Sequence, residues 1–124
     1  MYKKEDIYSD NPNLIYTRIS GYGQTGPYSK KPGFASVCEG MGGFRFINGH
    51  PGQPPVRPNL SLGDSLAGMH AVLGTLLALI ARNKLKNQPR TGQVVDVAIY
   101  ESMFNMMESI VPEYDRFQQV GYLA

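Results

Sequence analysis

The sequence predicts an α/β domain, and three observations carry that reading. The runs NLIYTRIS (Asn13–Ser20) and QVVDVA (Gln93–Ala98) are rich in β-branched residues and read as strands. Between them Leu66, Met69, Leu73, Leu76, Leu77 and Ile80 recur at three- and four-residue spacing, the pattern of an amphipathic helix long enough for a crossover connection. A second helical segment follows the second run, so strands and helices alternate along the chain.

Asp10-Asn11-Pro12 is a turn signal that leads into the first strand, where Leu14, Tyr16 and Arg18 alternate with Ile15, Thr17 and Ile19. From Gly21 to Gly33 the chain is dense in turn residues, and Pro27 and Pro32 forbid a regular helix. Phe34 to Met41 has room for one or two helical turns before Gly42-Gly43. Phe44 to Ile47 reads as a short strand, and Asn48 to Pro58 as a further loop containing Pro54-Pro55. The long helix opens at Asp64 or Ser65 and runs to about Arg82, with its apolar positions as the core face. Arg82, Lys84 and Lys86 suit the negative end of its dipole. Lys84 to Gly92 is a polar turn. After the second strand, in which Asp96 interrupts an apolar run, Ile99 to Ile110 reads as one helix that carries Met103, Met106, Met107 and Ile110 and stops near Pro112.

The chain's 124 residues suffice for about one domain. Nine of its 14 glycines and six of its 9 prolines fall between Gly21 and Pro58, which marks either a long functional loop system or a piece of a larger fold. A net charge of +2, with no basic run longer than two residues, leaves no electrostatic footprint for nucleic acid. One cysteine, Cys38, forms no internal disulfide and fits a reducing compartment. The longest apolar run, Ala71 to Ala81, is 11 residues, against the roughly 20 that a membrane span requires. The start, Met-Tyr-Lys-Lys-Glu-Asp, lacks a signal peptide's apolar stretch and carries acids that transit peptides avoid. The expectation is an intracellular protein, cytoplasmic or mitochondrial (a transit peptide upstream of Met1 being compatible), with no nucleic acid or membrane among its partners.

Few residues offer chemistry. Gly21-Tyr22-Gly23-Gln24-Thr25-Gly26 matches G-x-G-x-x-G after a strand, but Pro27 prevents the helix that would hold a dinucleotide's pyrophosphate. The glycines then serve a turn, or a loop whose amides approach a ligand. Asp64, in Leu62-Gly63-Asp64-Ser65, sits where loop meets helix. An aspartate there is ordinarily an N-cap. The positive end of the helix dipole also favours a negative group, and Gly63 removes side-chain bulk beside it, so the same location also suits a carboxylate that attacks an acyl carbon or accepts a proton, and sequence alone does not separate the two. His70, six residues on, is turned about 240° around the helix from Asp64. His50 lies in a Gly/Pro loop, and no Cys/His spacing resembles a metal site. Cys38 and the methionines read as core residues, and Glu39, Glu101 and Glu108 as polar helix positions.

Three segments together resemble a known family. Ile19-Ser-Gly-Tyr-Gly-Gln-Thr-Gly-Pro-Tyr28 with Lys31-Pro-Gly-Phe34, then Leu62-Gly-Asp-Ser-Leu-Ala-Gly-Met-His70, then Gly92-Gln-Val-Val-Asp-Val-Ala98, look like the family III CoA-transferases of the CaiB/BaiF group, in the same order and spacing over roughly Asn11 to Phe117. The group includes formyl-CoA transferase and succinyl-CoA-dependent dicarboxylate CoA-transferases. The resemblance implies a Rossmann-like large domain with long Gly/Pro-rich loops, of which residues 1–124 form the central part. It implies that Asp64 is the nucleophile, that Lys31, Pro32, Gly33 and Phe34 contact CoA, and that Lys31 pairs with a phosphate. CoA thioesters then enter as substrates, with no tightly bound cofactor and no metal. An acyl-CoA donor and a carboxylic-acid acceptor are the partners, in a full-length homodimer of interlocked chains. The family's racemase branch places a proton-transferring histidine, in a Gly-His-Asp context, where Gly33-Phe34-Ala35 stands here. Formyl-CoA transferase has an acid where Ala35 lies. The resemblance therefore implies transfer of CoA over racemisation, carries no formyl or oxalate specificity with it, and leaves the donor and acceptor acids open.

Overall fold

The computed structural model describes residues 8–84 and 91–118. Two strands, β1 (Tyr16–Ser20) and β2 (Val94–Ala98), pair in parallel with Tyr16 opposite Val94 and Ser20 opposite Ala98. Parallel neighbours require a long connection. Here it contains α1 (Ala35–Met41) and α2 (Leu62–Lys84), and α3 (Ile99–Phe104) and α4 (Ile110–Phe117) follow β2. The α/β prediction and both strands stand, each strand trimmed at its start. Most of the expected turn after Lys84, like the chain's first residues, lies outside the described residues.

Four expectations need correction. Phe44 to Ile47 is not a strand: Phe46 donates to the Gly43 carbonyl and Asn48 to that of Arg45, closing successive turns after Gly43, whose φ is +86°. Ile99–Ile110 is not one helix. It breaks after Phe104, turns through Glu108 at φ 50°, and resumes as α4. Pro112 does not stop α4 but sits third in it, within the first turn, where an amide proton has no intrahelical acceptor to lose.

The fourth correction concerns the long helix. It begins at Leu62, two residues earlier than predicted, and places Asp64 inside its first turn. Its buried residues are Gly63, Ala67, Ala71 and Ala78, while Met69, Leu73, Leu76, Leu77 and Ile80 are exposed. The expected core face is therefore the outer face. The small-residue stripe is needed because the backbone lies close to its neighbours: a Cβ on Gly74 would stand 2.6 Å from Val95 Cγ1, and one on Gly63 2.9 Å from Ile99 Cγ2. Helix and sheet are also joined by Thr17 and Thr75, whose hydroxyls are 2.7 Å apart. The core itself is modest, with Cys38, Ala67, Ala71, Val97 and Ile99 at its centre and Tyr22, Val95 and Tyr100 around it. By length and composition the 23-residue α2 is also sufficient to cross a membrane, which the 11-residue apolar run understated.

Candidate active site

In open parallel sheets, ligands bind outside the carboxyl ends of the strands. Three segments of this chain meet there. Gly21 follows β1, Ile99 follows β2, and the N-terminus of α2 packs against Ile99 through Gly63. Tyr100 donates its backbone N–H to the Gly21 carbonyl, and the Gln24 amide donates to Asp96 Oδ2 at 2.8 Å, so the loop after β1 is fastened to β2 and α3. Asp96, which interrupts the apolar run, thus holds the glycine loop.

The G-x-G-x-x-G segment opens no helix. Gly23 and Gly26 adopt φ of +78° and +85°, the turn conformations that glycine permits. Gly21 meets Gly33 backbone to backbone: a Cβ on Gly21 would lie 2.5 Å from Gly33 Cα. No residue with a side chain allows that crossing. It brings the Lys31–Phe34 segment over Cys38, whose Sγ donates to the Gly21 carbonyl at 3.4 Å. Immediately afterwards Ala35 touches the position of Gly63. Gly33 and its neighbours are therefore beside the helix start that carries Asp64.

Asp64 is exposed, and no hydrogen bond or ion pair engages its carboxylate among the described residues. The N-cap reading fails for that reason. One amide of the helix start is taken instead by Glu39, which in the sequence reads as an ordinary polar helix position. Glu39 is fully buried, and its Oε1 accepts the Gly63 backbone N–H at 3.4 Å. Its Oε2 accepts no hydrogen bond and lies 3.5 Å from Arg45 and 3.8 Å from Arg57. A signal was present. Glu39 shares a helical face with Ala35 and Cys38, and residues 40–63 hold Arg45 and Arg57 with no acid to pair them.

The remaining candidates divide. Phe34 precedes α1 with 75% of its surface exposed, and Pro32 and Lys31 are also exposed. The Lys31 ammonium stands 3.9 Å over the Tyr28 ring, a cation–π contact, with no carboxylate partner among the described residues. The Cys38 thiol is pushed up by burial and then by the negative charges of Asp64 and Glu39, which keeps it protonated and unreactive. The Asp64 effect also places that carboxylate within electrostatic reach of the core. His70 is occupied structurally: Nδ1 bonds the Leu66 carbonyl at 2.8 Å and Nε2 meets the Asn105 amide at 3.2 Å, so the tautomer serving both bonds carries its proton on Nδ1. His50 lines a cavity within the 46–55 loop that does not include Asp64. No group of three or more His, Cys, Asp and Glu is placed to hold a metal among the described residues.

This architecture matches known proteins. The family model for CoA-transferase family III covers residues 2–122. Succinyl-CoA–D-citramalate CoA-transferase of Chloroflexus aurantiacus is 51% identical over 110 residues, which is 89% of this chain and 26% of that protein. Formyl-CoA:oxalate CoA-transferase of Escherichia coli is 31% identical over 96% of this chain and 28% of its own length. A crystal structure of a CaiB/BaiF family protein from Brucella suis superposes with a TM-score of 0.89 at 28% identity, covering 97% of this chain and 31% of that one. The chain thus spans about a quarter of the length of the curated relatives it matches. With its parallel sheet, crossover helix and glycine loop in the family's arrangement, the chain belongs to CoA-transferase family III.

Proposed function

We propose that the protein transfers coenzyme A between carboxylic acids, with Asp64 as the nucleophile. One observation carries the reading: Asp64 presents an exposed carboxylate with no hydrogen bond or ion pair, at the start of a long helix and at the carboxyl edge of a parallel sheet. The Asp64 carboxylate attacks the thioester carbon of an acyl-CoA, giving an aspartyl–acyl anhydride and CoA thiolate. The thiolate attacks the aspartyl carbon, releasing the donor acid and leaving an aspartyl-CoA thioester. An acceptor carboxylate displaces the thiolate to form a second anhydride, and the thiolate takes the acceptor's acyl group, which frees Asp64. Each step exchanges one acyl bond for another, so no oxidant and no net proton is needed. The positive end of the helix dipole stabilises the negative charge that develops on the attacked carbonyl.

The segment Lys31, Pro32, Gly33 and Phe34 is the proposed CoA contact. Lys31 offers a cation for a phosphate and Phe34 an exposed ring for the carrier. Phe34 and Ala35 offer neither acid nor base to an α-carbon, so deuterium exchange from solvent into acyl-CoA is expected to be absent. The Asp64→Ala variant of the intact protein is expected to lose at least about 1,000-fold in turnover. Mass spectrometry of the wild type incubated with succinyl-CoA should find CoA attached to the Asp64 peptide. Full turnover by Asp64→Ala overturns the reading.

The uncovered outer face of α2 and the exposure of Phe34 support a second statement: residues 1–124 are part of a larger domain, interlocked with a second copy in the active protein, and are inactive alone. Assay of the isolated chain for acyl-CoA turnover tests it, and measurable activity overturns it.

A further inference from the structure

We infer that Glu39 is a positioning residue for Asp64, acting by occupying the α2 amide that the Asp64 carboxylate would otherwise turn back to bind. The inference rests on Asp64 being the nucleophile.

The first amides of a helix have no intrahelical acceptor, and a short acidic side chain in the first turn is a ready partner for them. Asp64 is the third residue of α2, next in the chain to the Gly63 amide at that helix start. A carboxylate so bonded is a poor nucleophile, because its lone pairs are engaged and its reach is shortened. In this structure the competing position is taken. Gly63 is buried, and its N–H is accepted by Glu39 Oε1 from a different helix. Arg45 and Arg57 face the other Glu39 oxygen, at 3.5 and 3.8 Å, and tie that end of the side chain. Neither arginine comes from α1 or α2. Both come from the 42–61 loop between them, and Arg45 is further tied to the Ser36 hydroxyl. One carboxylate therefore joins α1, the loop and the helix start, and leaves Asp64 free.

Two substitutions of similar volume separate this role from packing. Glu39→Gln keeps an oxygen for the Gly63 amide and removes the charge. Glu39→Met fills the same space without an acceptor. In the intact protein Glu39→Gln is expected to keep kcat within about threefold. Glu39→Met is expected to lower kcat on the order of 100-fold, with KM for the acyl-CoA changed less than threefold, the cost of a displaced reacting group. Both are expected to melt within a few degrees of each other. Equal kcat values in the two variants, whether both retained or both lost, overturn the inference, and so does a Glu39→Gln protein that fails to fold, since Glu39 is then only structural. Asp64→Asn, assayed alongside, tells the two readings apart: full turnover there removes the nucleophile itself, whereas loss there with an active Glu39→Met removes only the role of Glu39.

Discussion

The two faces of α2 are opposites in side-chain volume. Toward β2 and α3 it presents Gly63, Ala67, Ala71, Gly74 and Ala78, one continuous stripe at four- and three-residue spacing. On the other side stand Met69, Leu73, Leu76, Leu77 and Ile80, at least half exposed, with nothing among the described residues to cover them. Apolar periodicity finds such a helix but does not say which side meets its first neighbour. Volume decides that. Where a helix lies so close to a strand that Gly74 has no room for a Cβ, only the smallest residues fit, and the large ones must face elsewhere.

That difference can be broken at Ala67, which has no exposed surface and lies in the centre of the core. Ala67→Leu forces three extra heavy atoms into a space bounded by Cys38, Ala71 and Ile99, and is expected to destabilise by about 3 kcal/mol in urea unfolding. Next in size is Gly74→Ala. In an exposed helix interior this change stabilises by about 1 kcal/mol. Here the new methyl meets Val95 Cγ1, so the sign is expected to reverse to a loss of about 1 kcal/mol. A stabilised Gly74→Ala would show that helix and sheet are further apart than described. On the outer face Leu77, 66% exposed, should accept glutamine within about 0.5 kcal/mol, and light scattering should show less self-association.

The same contrast explains what could be read in advance. Strands and helices are local patterns, and β1, β2, α1 and α2 were all legible from β-branched runs, glycine pairs and apolar spacing. The face of α2 was not, because it depends on how near Val95 lies, which no local pattern carries. The stretch after the break at Phe104 passes through one left-handed residue, Glu108, of a type that rarely adopts that conformation. At the site, the Gly63-Asp64 junction was visible as a helix start bearing an acid. Its freedom from capping was not, since the acceptor at that helix start comes from Glu39, 24 residues earlier in the chain. Only the two arginines without an acid in their own loop pointed that way.

The smallest expected effect tests the inner side at Cys38, where burial, Asp64 and Glu39 all push the thiol upward. A group whose folded value is raised contributes its stability fully below the unfolded value, about 8.5 for a free thiol, and loses it as pH rises through the folded value. Stability should therefore be level with respect to this group at neutral pH and decline above about pH 8.5, as the buried site resists the thiolate. Tyrosines and lysines titrate in the same range, so the measurement is a difference. Urea midpoints of wild type and Cys38→Ala are compared from pH 7 to pH 10, and the wild type should fall more steeply. Parallel curves would mean that Cys38 does not sit in an apolar core beside two carboxylates. The close crossing of Gly21 and Gly33 above it, and with it the placement of Lys31–Phe34 next to Asp64, would lose its support.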